Sequence, residues 1–141
     1  MKMNLQNVLL VFLGGAIGTA ARYGASLALP QIGMLFAVNL LGATFLGVVN
    51  ASSIFESGNS KAFWGVGFAG GFTTMSGVAL WLIGATDVAA LAPLTVIAMF
   101  ALGVLAYLLG LRLGRFVGPQ TQVTGQAAAS QPEATEPGAK Q

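Results

Sequence analysis

The sequence contains no cysteine and no histidine. Their absence excludes thiol chemistry, a disulfide framework, the usual zinc and haem sites, and nucleophilic catalysis by a Ser–His or Cys–His pair. Charge is nearly as scarce: six basic and four acidic residues make up 7% of the 141 residues. The basic residues are too few and too dispersed for a nucleic-acid surface, so no nucleic-acid partner is expected. Acidic residues are missing from every long apolar stretch, with Glu56 in a connection and Asp87 at a turn. No acid–base pair therefore stands within a polar cluster at membrane depth, and the chain is not expected to be an enzyme. A proton-coupled exporter of the small-multidrug type would need a titratable carboxylate there, which weakens that alternative.

Apolar residues are what the sequence does have. Hydrophobic residues make up 55% of the chain, and the mean hydropathy is +0.79. A soluble domain of this size has no means of keeping so much apolar surface from water, so the class is integral membrane protein. Crossing a hydrocarbon core takes roughly 20 apolar residues. Four stretches qualify, at about 5–26, 32–55, 62–85 and 88–111, with short connections at 27–31, 56–61 and Thr86–Asp87. The expected organisation is a four-helix membrane domain over 1–116. Residues 117–141, rich in Gln, Ala, Thr, Pro and Glu, read as a disordered tail, because they lack the apolar surface to offset their ordering entropy. Lys2 ahead of an apolar run resembles a secretory signal. Cleavage near Thr19–Ala21 would discard the Gly14–Gly18 packing face, so this reading is set aside.

With four spans, both termini share one side with the central connection. Lys2, Lys61, Arg112 and Arg115 lie on that side, against Arg22 and Asp87 on the other. The positive-inside bias puts both termini in the cytoplasm, with the chain multi-pass in the inner or plasma membrane. Gly14–Gly18, Gly67–Gly71 and Gly110–Gly114 are small-xxx-small pairs, and Ala43–Gly47 is a weaker one. Such pairs let helix backbones approach where no hydrophobic force drives association. Four thin helices enclose hardly any interior, so association with a second chain is expected.

Polar residues at membrane depth mark function by default. They are Arg22, Asn39, Thr44, Thr73, Thr74, Ser76 and Thr95. All are neutral donors apart from the one cation, and their positive hydrogen ends suit an anion. Bland roles remain open for each: Asn39 bridging helices, Arg22 snorkelling to the interface, the hydroxyls bonding back to their own helix. The stretch GFAGGFTTMSG, residues 67–77, lowers helix preference in mid-span. Carbonyls freed by unwinding there are tolerated only when buried in protein, lining a cavity or acting as ligands, and hard oxygens of this kind suit Na⁺. A Gly-rich packing kink would leave the same trace.

Three motifs in order carry a resemblance over about residues 5–115. They are Gly14-Gly15-x-x-Gly18-x-x-x-Arg22-Tyr23, Asn39-x-x-Gly42-x4-Gly47, and Gly67-Phe68-x-Gly70-Gly71-Phe72-Thr73-Thr74-x-Ser76. This pattern resembles the fluoride channels of the Fluc (CrcB) family. The resemblance implies an all-α membrane fold of four transmembrane helices, the third broken at its centre, assembled as an antiparallel dual-inverted dimer with two narrow anion pores. It implies a structural Na⁺ at the dimer centre on the backbone carbonyls of Gly70 and Thr73. Asn39 would line the pore and Arg22 would attract or position the anion, with Thr74 and Ser76 completing the polar path. Passive flow would expel fluoride that entered as neutral HF.

Departures from the family pattern are equally specific. Two positions usually Phe, whose ring edges face the ion, read Met75 and Val78, and Gly77 replaces Thr. The polar track of span four reads Thr95, Met99 and Gly103, and the Thr four residues before Asn39 is Leu35. These losses and the orientation bias imply a heterodimer with an oppositely inserted paralogue rather than a homodimer. The other possibilities are a non-conducting structural or regulatory subunit, or a small-solute transporter on the same scaffold.

Overall fold

The computed structural model describes residues 5–84 and 91–117. The expected turn at Thr86–Asp87 and the tail beyond Val117 lie outside the described residues. Those described are helical apart from short connections, and four helices are long and apolar enough to cross a membrane. We number them α1 (Leu5–Ala28), α2 (Gln31–Ala51), α3 (58–72) with α4 (Met75–Gly84) as two halves of one span, and α5 (Ala92–Gly114). The protein is a multi-pass membrane protein.

Helix ends follow local chemistry. Leu29 precedes Pro30, which disfavours a helical Leu29 and closes α1. Pro30, which lacks an N–H, then serves as N-cap of α2, accepting from the Met34 N–H at 2.9 Å. The second span was expected to run to Phe55, but α2 stops at Ala51. Ser52 turns extended (φ −88°, ψ 135°), and its buried hydroxyl caps the following turn at Ile54 while donating to the Val117 carbonyl. One side chain thus ties the ends of α2 and α5 together. Ser57 caps the start of α3 through the Ser60 N–H at 3.1 Å. Most of α3, Lys61–Ala69, is wound as a π-helix, a widened form found mostly at functional sites.

Two helix pairs make the bundle: α1 lies on α3, and α2 lies on α5. Both seams are built from the glycines singled out by spacing. A Cβ at Gly14 or Gly18 would overlap the carbonyls of Phe63 and Phe68, and one at Gly71 would overlap that of Gly15. On the other seam Gly47 meets the Tyr107 carbonyl and Gly110 the Thr44 carbonyl. These stripes therefore serve packing within the chain, because backbone-to-backbone contact is the main attraction available between helices in lipid. A chain of edge-to-face rings, Phe55, Trp64, Phe45 and Phe68, joins α2 to α3, and Phe72 stacks on Phe68 at 5.8 Å. Few apolar side chains are buried among the described residues: Leu35, Val38, Val49, Ala69, Val78 and Met99. Large apolar side chains are exposed along every span, as a chain surrounded by lipid and protein requires.

Candidate functional site

The third span breaks where expected. The last helical bond of its first half runs from the Thr73 N–H to the Ala69 carbonyl at 3.1 Å, and Thr73 is then extended (φ −78°, ψ 158°). In an unbroken helix the Thr74 N–H would close on the Gly70 carbonyl. Instead it donates to Asn39 Oδ1 at 2.8 Å, and Asn39 Nδ2 donates back to the Thr74 carbonyl at 3.2 Å. One buried side-chain amide therefore satisfies both backbone groups of Thr74, as a neighbouring strand would. No water is needed at a depth where none is available. The bridging role left open for Asn39 is real, with the break itself as the other end of the bridge.

Arg22 does not snorkel to the interface. Its Nη1 donates to the Thr73 carbonyl at 3.1 Å, half-buried against the break. Thr19, one turn earlier on α1, donates to the Gly71 carbonyl at 3.4 Å. Thr74 Oγ1 caps α4 by accepting from the Gly77 N–H at 3.1 Å, and it lies 3.2 Å from Ser76 Oγ. Thr73, Thr44 and Thr95 bond back to carbonyls four residues earlier, the bland role considered for them.

Arg22, Asn39, Thr73, Thr74 and Ser76 thus converge on one break, but their open sides face different grooves. A groove of about 330 Å³ is lined by Thr19, Arg22, Gln31, Leu35, Thr74 and Ser76, and opens beside the α1–α2 connection. A second, about 310 Å³, holds Asn39, Met75, Met99 and Phe100 and extends to Tyr107. The Tyr107 hydroxyl accepts from Asn50 Nδ2 at 3.2 Å, near the opposite end of α2. Gly70 faces neither. It is exposed on a third groove, about 540 Å³, with Thr73, Gly65, Asn50 and Lys61, and nothing approaches the place where its Cβ would be.

Among the described residues no His, Cys, Asp or Glu cluster could hold a metal ion. Backbone carbonyls are the available ligands. Gly70 O is released because its helical donor has gone to Asn39, whereas Thr73 O already accepts from Arg22. Oxygens of this type suit a hard monovalent cation, and of the two Thr73 O already carries the Arg22 guanidinium.

Sequence reasoning missed Thr19 and Phe100. Thr19 was detectable, since it stands three residues before Arg22 on the same helix face. Phe100 carried no signal; only folding brings its ring into the groove with Asn39 and Met75. Phe45, Phe68 and Phe72, three further rings near the third span, are engaged in the α2–α3 ring chain and line neither of the first two grooves.

The chain as a whole has counterparts among known proteins. Residues 9–111 match the family described as CrcB-like protein, Camphor Resistance (CrcB). The chain belongs to the CrcB family. A fluoride-specific ion channel FluC 2 of Leifsonia xyli subsp. xyli is 37% identical over 126 residues, covering 80% of this chain and 86% of that one. A fluoride-specific ion channel FluC of Parabacteroides distasonis is also 37% identical, over 77% of this chain and 92% of its own length. FluC 1 of Rhodococcus jostii is 34% identical over 86% and 93% respectively. These CrcB relatives are ion channels and not enzymes.

Proposed function

We propose that this chain is one subunit of a fluoride channel that lets fluoride leave the cell passively and so relieves its toxicity. The observation that carries this reading is the clasp of Asn39 on Thr74, with Arg22, Thr74 and Ser76 presenting donor hydrogens around it at membrane depth. A path for an anion needs such donors and needs the absence of carboxylates, and the spans contain no Asp or Glu. The names of the relatives support fluoride as the ion. Gly70 and Thr73 from two inverted chains would together offer backbone oxygens to one Na⁺. When bound, that ion supplies a fixed charge that holds the two breaks together.

The functional unit is an antiparallel heterodimer with a paralogue that carries the rings missing at Met75 and Val78. The orientation bias of the basic residues supports a fixed insertion with both termini cytoplasmic. Relatives numbered FluC 1 and FluC 2 fit a family in which paralogues occur. Reconstitution in fluoride-loaded liposomes tests both points, read with a fluoride electrode. The chain with its paralogue is expected to release fluoride without saturation, and the chain alone to release little. Robust efflux by the chain alone removes the heterodimer, and no efflux from the pair removes the channel. The remaining reading, a non-conducting regulatory subunit, is favoured only by the lost ring positions; it requires that the partner conduct equally well without this chain.

A further inference from the structure

The two grooves that reach Asn39 and Thr74 point to opposite ends of the helices. One contains Gln31 at the start of α2; the other ends at Tyr107, bonded to Asn50 near the finish of α2. Together their linings run from the start of α2 to near its finish. Between them stands a single buried cluster, Leu35, Val78 and Met99, exposed by 1%, 2% and 4%, with Met34, Phe36, Trp81 and Val96 packed around it. Leu35 borders the first groove and Met99 the second.

Two details show a fitted seal instead of a chance closure. A Cβ on Gly77 would come within 2.8 Å of a Leu35 methyl, so the side chain at 35 occupies the room that glycine vacates at 77. Asn39 Nδ2, after serving Thr74, directs its other hydrogen to Met99 Sδ at 3.4 Å, so the amide is occupied on the second-groove side too. An apolar constriction of this kind excludes water and with it any ion that must stay hydrated.

We propose that Leu35, Val78 and Met99 form a dry septum that closes this chain's own line across the membrane. Conduction is left to the line whose constriction the partner chain supplies, and this chain's donors Arg22, Thr74 and Ser76 serve the anion only at the groove outside the septum. The proposal rests on the reading of the chain as a channel subunit, and its test does not depend on fluoride.

Because the sequence has no cysteine, any single introduced thiol is the sole one in this chain, and the paralogue is used with any cysteine of its own replaced by serine. Ser76→Cys reports on the first groove. Gly103→Cys reports on the second, where a Cβ meets nothing within 4 Å. Gln31→Cys and Lys61→Cys mark the two faces of the membrane. The full chain, with its paralogue in liposomes, is exposed to Ag⁺ from one side at a time. Ser76→Cys is expected to react only from the Gln31→Cys side and Gly103→Cys only from the Lys61→Cys side, each with a preference of at least about a hundredfold. Adding Leu35→Ala and Val78→Ala should make both thiols reactive from both sides. Comparable rates from both sides without those changes, or no reaction of either reporter from any side, overturns the septum. Fluoride efflux is measured on the unsubstituted pair. Lost efflux with one-sided thiols removes the channel reading alone, and intact efflux with two-sided thiols removes the septum alone.

Discussion

Asn39 stands 35 residues from Thr74 in the chain, yet its amide donates to the Thr74 carbonyl at 3.2 Å and accepts from the Thr74 N–H at 2.8 Å. This reciprocal pair makes a broken helix tolerable in the middle of a bilayer, because the two groups that lose their helical partners gain a matched pair at once.

Removing that amide should therefore cost more than a typical polar substitution. Asn39→Leu keeps the branched heavy-atom skeleton of Asn and strands one donor and one acceptor at Thr74. A buried unsatisfied group costs about 1–3 kcal/mol, so a loss of about 2–6 kcal/mol is expected for the two. Thermal unfolding of the detergent-solubilised protein, followed by tryptophan fluorescence, measures it. An unchanged midpoint would show that the break is held by something else.

The glycine seams give a contrast that can be read within one helix. Gly18→Ala drives a Cβ into the Phe68 carbonyl, whereas nothing lies within 4 Å of a Cβ at Gly24. Gly18→Ala should lose about 2 kcal/mol or more by overpacking. Gly24→Ala should be neutral or gain up to about 1 kcal/mol from helix propensity. Yield and melting temperature by size-exclusion chromatography separate the two.

Leu35 and Gly77 should behave as one unit. Gly77→Thr alone forces its Cβ against the Leu35 methyl (2.8 Å) and the Thr74 side chain (3.1 Å). Combining it with Leu35→Thr removes the first conflict. A double-mutant cycle on unfolding should return a coupling in the range of about 0.5–3 kcal/mol, with the pair more stable than Gly77→Thr by itself. Strict additivity would mean that the two side chains do not compete for the same space.

Sodium dependence tests the cation reading through Arg22. If Thr73 O is a shared target, replacing Na⁺ by N-methylglucamine should weaken the dimer. Arg22→Ala should then lower the Na⁺ concentration that restores it. Removing a like charge at contact distance is worth on the order of 1–4 kcal/mol, so a shift of about fivefold is the minimum expected. Dimer content by chromatography across a Na⁺ titration reads this directly. No dependence on Na⁺ in either protein would remove the cation from the assembly.

Much of the architecture was legible before any coordinates. The spans follow from apolar length, the seams from paired small residues, and the break from Gly70-Gly71 followed by two threonines, which weakens the helix locally. What escaped were relations between distant positions. Leu35, Gly77, Val78 and Met99 look like four separate losses in the sequence, yet Leu35, Val78 and Met99 form one buried cluster with Gly77 making room for Leu35. The end of α2 escaped for the same reason. Nothing near Ser52 announces that its hydroxyl will reach Val117, 65 residues on.

The sequence by itself determined that the protein resides in the bilayer, how many times it crosses, and where the third crossing weakens. Those are properties of composition and local propensity, summed over neighbours in the chain. Only the tertiary structure decided which donor takes which carbonyl at the break, with Arg22 on Thr73, Thr19 on Gly71 and Asn39 on Thr74. Hydrogen bonds are settled by distances of about 3 Å, and those distances exist only once helices far apart in sequence have been brought together by their glycine seams.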